Sequence, residues 1–298
     1  MKAFVVGNIA IDETFAVHRL PCEGESIFGT QVSTDLGGKG TNQAIVLARS
    51  GIETILIAAT GADTQAGRMR SVLAQEKVTP RLKVIADLPS DRSIVVKDAA
   101  GGNANITTVD CARSLNADDV FERMADAVAG DLVVLQGNLK ISTTGQVIAM
   151  AKKRNMQVVL NPSPLETGIE DLLGEVNTLF LNQHEALQIT GVQDSAAVSD
   201  LLGRGIETVV LSQGEKGAIL GTRVGIFTLS ATACDVVDST GAGDTLQGVA
   251  LASATLRDCT VDVQALEIAT RAAALTVSRF GTRTAFPSEA ELLDLMTS

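Results

Sequence analysis

Six short apolar runs limit what this chain can fold into. They are Phe4-Val5-Val6, Ile55-Leu56-Ile57-Ala58, Leu132-Val133-Val134-Leu135, Val158-Val159-Leu160, Leu179-Phe180-Leu181 and Val209-Val210-Leu211-Ser212. A strand that is apolar at successive positions is buried on both faces, as in parallel sheets covered by helices on each side. Helical segments stand between the runs, over 65–76, over 143–154 and just after Asn182. Strand alternating with helix predicts an α/β fold, a doubly wound, mostly parallel sheet flanked by helices. An Ala-rich helix over about 261–277 and an amphipathic one over 287–296 close the chain.

Two stretches break this alternation. Residues 13–36 hold two strand-like runs joined by a turn at 21–24, and residues 84–110 hold runs at 92–97 and 104–109 around a turn at 99–102. Paired together they form a small inserted β-sheet, placed as a lid. No Pro/Ser-rich linker or charge block divides the chain, so 1–298 is expected to be one domain that includes this lid.

The net charge of −11 argues against nucleic acid as a partner, because such binders carry a basic face. It does not exclude a nucleotide that arrives with a metal ion. With no Trp, no Tyr and 8 Phe, stacking on a nucleobase is poorly supplied. No apolar run approaches the ~20 residues of a membrane span, and the chain opens directly on a strand-like run without a signal-peptide layout. Cys22, Cys111, Cys234 and Cys259 are scattered, which points away from disulfides and zinc and towards a reduced, cytoplasmic setting. His18 and His184 lack ligand spacing, and no GxSxG elbow supports serine hydrolysis.

The chemistry lies in two Gly-rich stretches. Asp238-Ser239-Thr240-Gly241-Ala242-Gly243-Asp244-Thr245 follows a run at 233–237 that reads as a strand and precedes a helix over 246–256. Strand, Gly-rich turn and helix start make an anion site, because the first N–H groups of a helix lack internal partners and its dipole is positive there. A carboxylate at Asp244 is placed as the base for phosphoryl transfer to a hydroxyl. Aspartate also serves simply as an N-terminal helix residue, and the motif alone does not separate the two roles. Leu36-Gly37-Gly38-Lys39-Gly40-Thr41-Asn42-Gln43-Ala44 precedes a helix that stops at Gly51. It has neither P-loop nor GxGxxG spacing. Lys39 and Asn42 suit hydroxyls, while the glycines equally suit tight packing of a helix on a sheet. Asp12 lies just past the first strand, at the edge where open α/β sheets bind ligands; a turn aspartate is the other reading.

With Asn161-Pro162-Ser163-Pro164, Asn182-Gln183-His184-Glu185 and Gln213-Gly214-Glu215-Lys216-Gly217, these stretches resemble the ribokinase, or PfkB carbohydrate-kinase, family over essentially the whole chain. Both family signatures are present in order, about 200 residues apart. The resemblance implies a ribokinase-like fold and ATP-dependent phosphorylation of a primary hydroxyl of a small sugar, ribose or another pentose first. A nucleoside or hexose kinase and a non-catalytic sugar-binding protein are the alternatives. It implies Asp244 as base, and backbone N–H groups of Gly241, Ala242 and Gly243 as the anion hole. Asp12, Gly38, Lys39, Gly40, Thr41, Asn42 and Asn138 would surround the sugar. Asn182 and Glu185 would position magnesium through water. Ser212, Gln213, Gly214, Glu215, Lys216, Gly217, Gly243 and Thr270 would line the ATP site. A monovalent cation, potassium in the family, would lie beside Asp238 and Thr240, with carbonyl oxygens of Thr276, Arg279 and Gly281 as the second half of its site. Related kinases pair through their lids, so a homodimer is expected. The chain departs from the family at Asn138, where ribokinase proper usually has glutamate, at Leu246 and Gln247, where an aromatic and an asparagine are common, and at Ala285, commonly serine. An amide donates as well as accepts, so Asn138 bears on the choice of sugar rather than on the chemistry.

Overall fold

The structure is a computed structural model that describes residues 1–98, 100 and 102–297. The chain begins β1 (Lys2–Val6), β2 (Ala10–Val17), β3 (Gly29–Gly37), α1 (Lys39–Arg49), β4 (Glu53–Thr60), α2 (Thr64–Leu73) and β5 (Val78–Val84). It continues through β6 (Arg92–Asp98), β7 (Asn103–Thr107), α3 (Asp110–Ser114), α4 (Ala117–Arg123), β8 (Leu132–Gln136), α5 (Ile141–Lys153) and β9 (Gln157–Asn161). Then come β10 (Thr178–Asn182), α6 (Gln183–Thr190), α7 (Asp194–Gly203), β11 (Thr208–Ser212), β12 (Ala218–Thr222) and β13 (Gly225–Leu229). Helices α8 (Ala242–Leu256), α9 (Val263–Val277) and α10 (Glu289–Thr297) end it.

Among the described residues, nine strands form the main sheet in the order β13-β12-β11-β10-β9-β8-β1-β4-β5. Every neighbouring pair is parallel except β11–β12 and β12–β13. The apolar runs fill it as their composition requires. In β1, Ala3 and Val5 face one core with α1, α8 and α9, while Phe4 and Val6 face the other with α3, α4 and α5. From β1 the chain steps outward to β4 and β5, then returns to β8 on the opposite side. The strand order therefore reverses between β1 and β8, and ligand crevices of open α/β sheets lie at the carboxyl ends of such a reversal. No helix among the described residues is long and apolar enough to cross a membrane.

The two insertions form a separate four-stranded sheet, β3-β2-β6-β7, with β2 and β6 parallel and the outer pairs antiparallel. It is narrower than the sequence suggests, because Val84 ends β5 in the main sheet. Of the expected turn at 99–102, Ala99 and Gly101 lie outside the described residues. Asp12 sits inside strand β2, not in a loop after β1.

Three expectations about local structure fail for identifiable reasons. The run at 233–237 is not a strand: Val236 and Val237 are exposed, and the N–H groups of Val237 and Asp238 donate to the Val277 carbonyl (2.8 and 3.1 Å) at the end of α9. The β12–β13 hairpin, absent from the apolar pattern, takes the sheet edge instead. Helices α1 and α8 start at Lys39 and Ala242, earlier than the apolar periodicity indicates, because glycine supplies the N-cap of each. Asn42 and Asp244 therefore stand in the first turns of their helices.

Candidate active site

The N-termini of α1 and α8 meet at one place. Gly241, the N-cap of α8, has φ +80°, and a Cβ there would come within 2.6 Å of the Phe286 ring. Glycine is thus required by both backbone and packing. No side chain caps α8, whereas α2, α4, α6 and α9 are capped by Asp63, Asn116, Asn182 and Asp262. Among the described residues, and apart from its chain neighbours and the nearby backbone of its own helix, no atom lies within 4 Å of the point a Cβ on Gly243 would occupy. This first turn is left open on the side where helix N–H groups attract an anion. Gly243→Ala is expected to leave the melting temperature unchanged or slightly raised, since alanine favours helix over glycine by ~1 kcal/mol. The added methyl projects into the open side, so turnover is expected to fall about tenfold or more while thermal stability holds; melting and steady-state rates check both halves.

Asp244 is 7% exposed. Asn42 Nδ2 donates to its Oδ2 (2.9 Å) and Gln43 Nε2 to its Oδ1 (3.0 Å). Gln43 cannot turn over, because its Oε1 accepts from Gln136 Nε2 (2.8 Å) and Gln247 Nε2 (3.2 Å). Three buried glutamines thus fix one amide donor on the carboxylate. Gln247, a departure from the family pattern, joins the network behind the Asp244 carboxylate.

A cleft of about 280 Å³ opens beside Asp244, lined also by Lys39, Asn182, Glu185, Ser212 and Gly243. Asn182 and Glu185 form a reciprocal cap: Glu185 N–H donates to Asn182 Oδ1 and Asn182 N–H to Glu185 Oε2, both 2.9 Å. Glu185 Oε1 has no donor among the described residues. A carboxylate oxygen left open on a polar cleft fits a hydrated magnesium ion. Lys39 is half-buried and forms no hydrogen bond or ion pair among the described residues, so its charge is available to a ligand.

A second cavity of about 300 Å³ lies between the small sheet and the main body, lined by Asp12, Thr14, Asp35, Asp238, Thr240 and Arg283 among others. Burial pushes the Asp12 carboxyl up to about 7; the charges of Asp35 and Asp244 add to this and Lys39 opposes it. The carboxylate lies against Gly37, where a Cβ would be 2.0 Å from Oδ2.

The remaining expected residues divide. Gly40 and Thr41 are held by Asn8: Gly40 N–H donates to its Oδ1 (3.2 Å), and Thr41 N–H and Oγ1 to its carbonyl (3.1 and 3.2 Å). Gly38, at φ +92°, caps α1 against the backbone of Asn8 and Ala10. Asn42 and Asn138 are buried, and the side-chain oxygens of both, with that of Gln136, have no partner among the described residues. Of the stretch 212–217 only Ser212 lines the cleft, and residues 213–217 form the turn into β12, closed by Gln213 N–H to the Gly217 carbonyl (2.8 Å). Thr270 donates to the Glu267 carbonyl (2.9 Å) on α9 and lines neither cavity. Thr276 is fully buried against Thr245 (2.9 Å), and Arg279 is turned to Glu291.

Asp238 does not fit as a metal ligand. Its Oδ1 accepts from Lys97 Nζ (2.8 Å), Thr240 N–H (3.1 Å) and Thr240 Oγ1 (2.7 Å), and its Oδ2 from Gly281 N–H (3.4 Å). Burial alone raises this carboxyl, but Lys97 and Thr240 outweigh it and hold it below the usual range. Lys97, Gln43 and Gln136 are the site residues that motif reasoning missed. The available signal for Lys97 was a lone cation on the same face of β6 as Ser93 and Val95.

A parallel doubly wound sheet with a carboxylate at an open helix N-terminus, roofed by a second sheet, is the build of a small-molecule phosphotransferase. The profile of the family described as pfkB family carbohydrate kinase matches residues 1–289, and the chain belongs to that family. It is thus a ribokinase-like carbohydrate kinase. The ribokinase of Haemophilus influenzae is 27% identical over 299 residues, 98% of this chain and 97% of that one. The deoxyribokinase of Salmonella typhi is 25% identical over 97% of this chain and 96% of its own. The Arabidopsis thaliana ribokinase solved with ribose and ATP is 27% identical, with a TM-score of 0.87 and coverage of 100% and 99%.

Proposed function

We propose that this kinase transfers the terminal phosphoryl group of ATP to a primary hydroxyl of a pentose, ribose first. The observation that carries this reading is the Asp244 carboxylate, clamped by two amides directly beside the uncapped start of α8. Phosphoryl transfer asks little covalent chemistry of a protein; it needs positioning, a base and compensation of charge. Asp244 takes the hydroxyl proton. The N–H groups of Gly241, Ala242 and Gly243 hold the migrating group, and Lys39 adds positive charge at the same cleft. Asn42 and Asn138 offer unpartnered amide oxygens that sugar hydroxyls can satisfy. Asp12 accepts further hydroxyls from the side of the lid.

Glu185, with Asn182 orienting it, would hold magnesium through water, and that ion would supply compensation of the phosphate charge. ATP lies along the cleft from Ser212 towards Gly243. Both pentose kinase relatives point to this substrate class, the ribokinase of H. influenzae and the deoxyribokinase of S. typhi. So does the Arabidopsis complex, which holds both ribose and ATP. Incubation with Mg·ATP and ribose, deoxyribose, fructose or adenosine, followed by ADP measurement, tests the reading. Pentose-dependent ADP release is expected, and its absence with all four would overturn the proposal.

The small sheet has open edges at β3 and β7, where Val32 and Ile106 are exposed. Unpaired edges are templates for association, so we propose a homodimer formed lid to lid. Light scattering at micromolar concentration is expected to give twice the chain mass of 31.0 kDa; a single-chain mass would exclude it.

A further inference from the structure

We infer that the Lys97 ammonium is a built-in counter-ion that stands where the family resemblance would have put a monovalent metal ion. Three observations carry this. Lys97 Nζ is 2.8 Å from Asp238 Oδ1, the carboxylate that a metal would need. The same oxygen accepts the Thr240 N–H and hydroxyl, so the charge of Lys97 acts directly on the loop that leads into Gly241. The ammonium also stands over the Phe280 ring, 5.7 Å from its centroid, which fixes it from a second side. Asp238 is almost fully buried, and its side chain is 6% exposed against 30% for Lys97. A buried carboxylate needs a fixed positive partner, and a compact ammonium supplies one without a binding equilibrium.

The source of the charge matters. Lys97 belongs to β6, in the small sheet, while Asp238 belongs to the loop below it. A free ion would reach the loop whatever the lid does. A tethered one arrives with the lid, so lid placement and the order of the anion loop become one event. Lys97 is a positioning residue, acting on the phosphoryl site through Asp238 and Thr240.

The inference deepens the kinase reading, but its main test needs no turnover, so the two can fail separately. Thermal unfolding of the full chain is followed in potassium, sodium and choline chloride at equal ionic strength, for the native protein and for Lys97→Met, which keeps the aliphatic stem. The native midpoint is expected to be the same in all three salts. The Lys97→Met midpoint is expected to rise in potassium over choline by roughly 2 °C or more, and its sugar-dependent ADP release to become potassium-dependent. Lys97→Gln is the second variant should Lys97→Met not fold. A potassium-specific rise in the native protein would overturn the inference, because an ion would then bind despite Lys97. A folded variant with no potassium response in midpoint or turnover would overturn it as well, because the ammonium would then not be replacing an ion.

Discussion

Asp244→Asn is expected to lower turnover by ~10³-fold or more, the upper range for loss of a general base, while nucleotide binding stays within a few-fold of native. The substitution keeps the shape and removes the charge proposed to take the proton. It also turns one of two acceptors into a donor. Asn42 Nδ2 and Gln43 Nε2 both point at this side chain, and Gln43 is held by Gln136 and Gln247. Asn42, whose Oδ1 has no partner among the described residues, can turn that oxygen to the new NH₂ group while Gln43 keeps its acceptor, so stability is expected to stay within ~1 kcal/mol of native. Rapid-quench turnover, ADP titration and thermal melting separate these effects. Turnover within tenfold of native would remove Asp244 from the role of base.

The second large effect belongs to Asp12, and it depends on pH. Burial holds its carboxyl at about 7 in the fold against 3.8 for a freely solvated aspartate. The folded state therefore keeps a proton that the unfolded chain releases. Stability from this group is complete below pH ~4 and is lost as the pH rises from there through 7. At ~1.4 kcal/mol per pKa unit, leaving Asp12 ionised in the sugar-free protein at pH 8 costs on the order of 4 kcal/mol. Asp12→Asn is expected to recover much of that at pH 8, to change little near pH 4, and to flatten the stability curve between. The same change is expected to cost ~10²-fold in kcat/KM for the sugar, because an ionised acceptor of hydroxyl protons is gone. Sugar binding near neutral pH is expected to release protons from the native protein and not from the variant, which calorimetry in buffers of different ionisation enthalpy reads directly. A variant no more stable at pH 8 than native would show that the carboxyl is not strained there.

The sequence made the sheet legible because its strands are buried on both faces and so carry unbroken apolar runs, as in β1 and β8. It was silent about the β12–β13 hairpin, whose outer strand is largely exposed and follows no such rule. The run at 233–237 exposes Val236 and Val237 instead of burying them in a sheet, and the Val277 carbonyl at the end of α9 takes the Val237 N–H. Helix starts at Lys39 and Ala242 were hidden because glycine N-caps carry no side-chain signal. At the site, Asp244, Lys39 and Glu185 stand in local motifs, and the structure brings all three to one cleft. Lys97 and the network of Gln43, Gln136 and Gln247 were not legible, since each acts across more than ninety residues of chain and nothing local reports such a partner.

The clamp on Asp244 joins residues 202 and 201 positions apart. A ribosome therefore makes Asn42 and Gln43 long before the carboxylate they hold. Closing a loop of that length carries an entropic cost that only the assembled core repays. The growing chain has made all nine described strands of its main sheet, and all four of the small one, before Asp244 is synthesised. With Asp244 in the role proposed above, phosphoryl transfer waits on the docking of α8, and a fragment lacking that helix is expected to leave ATP and sugar unreacted.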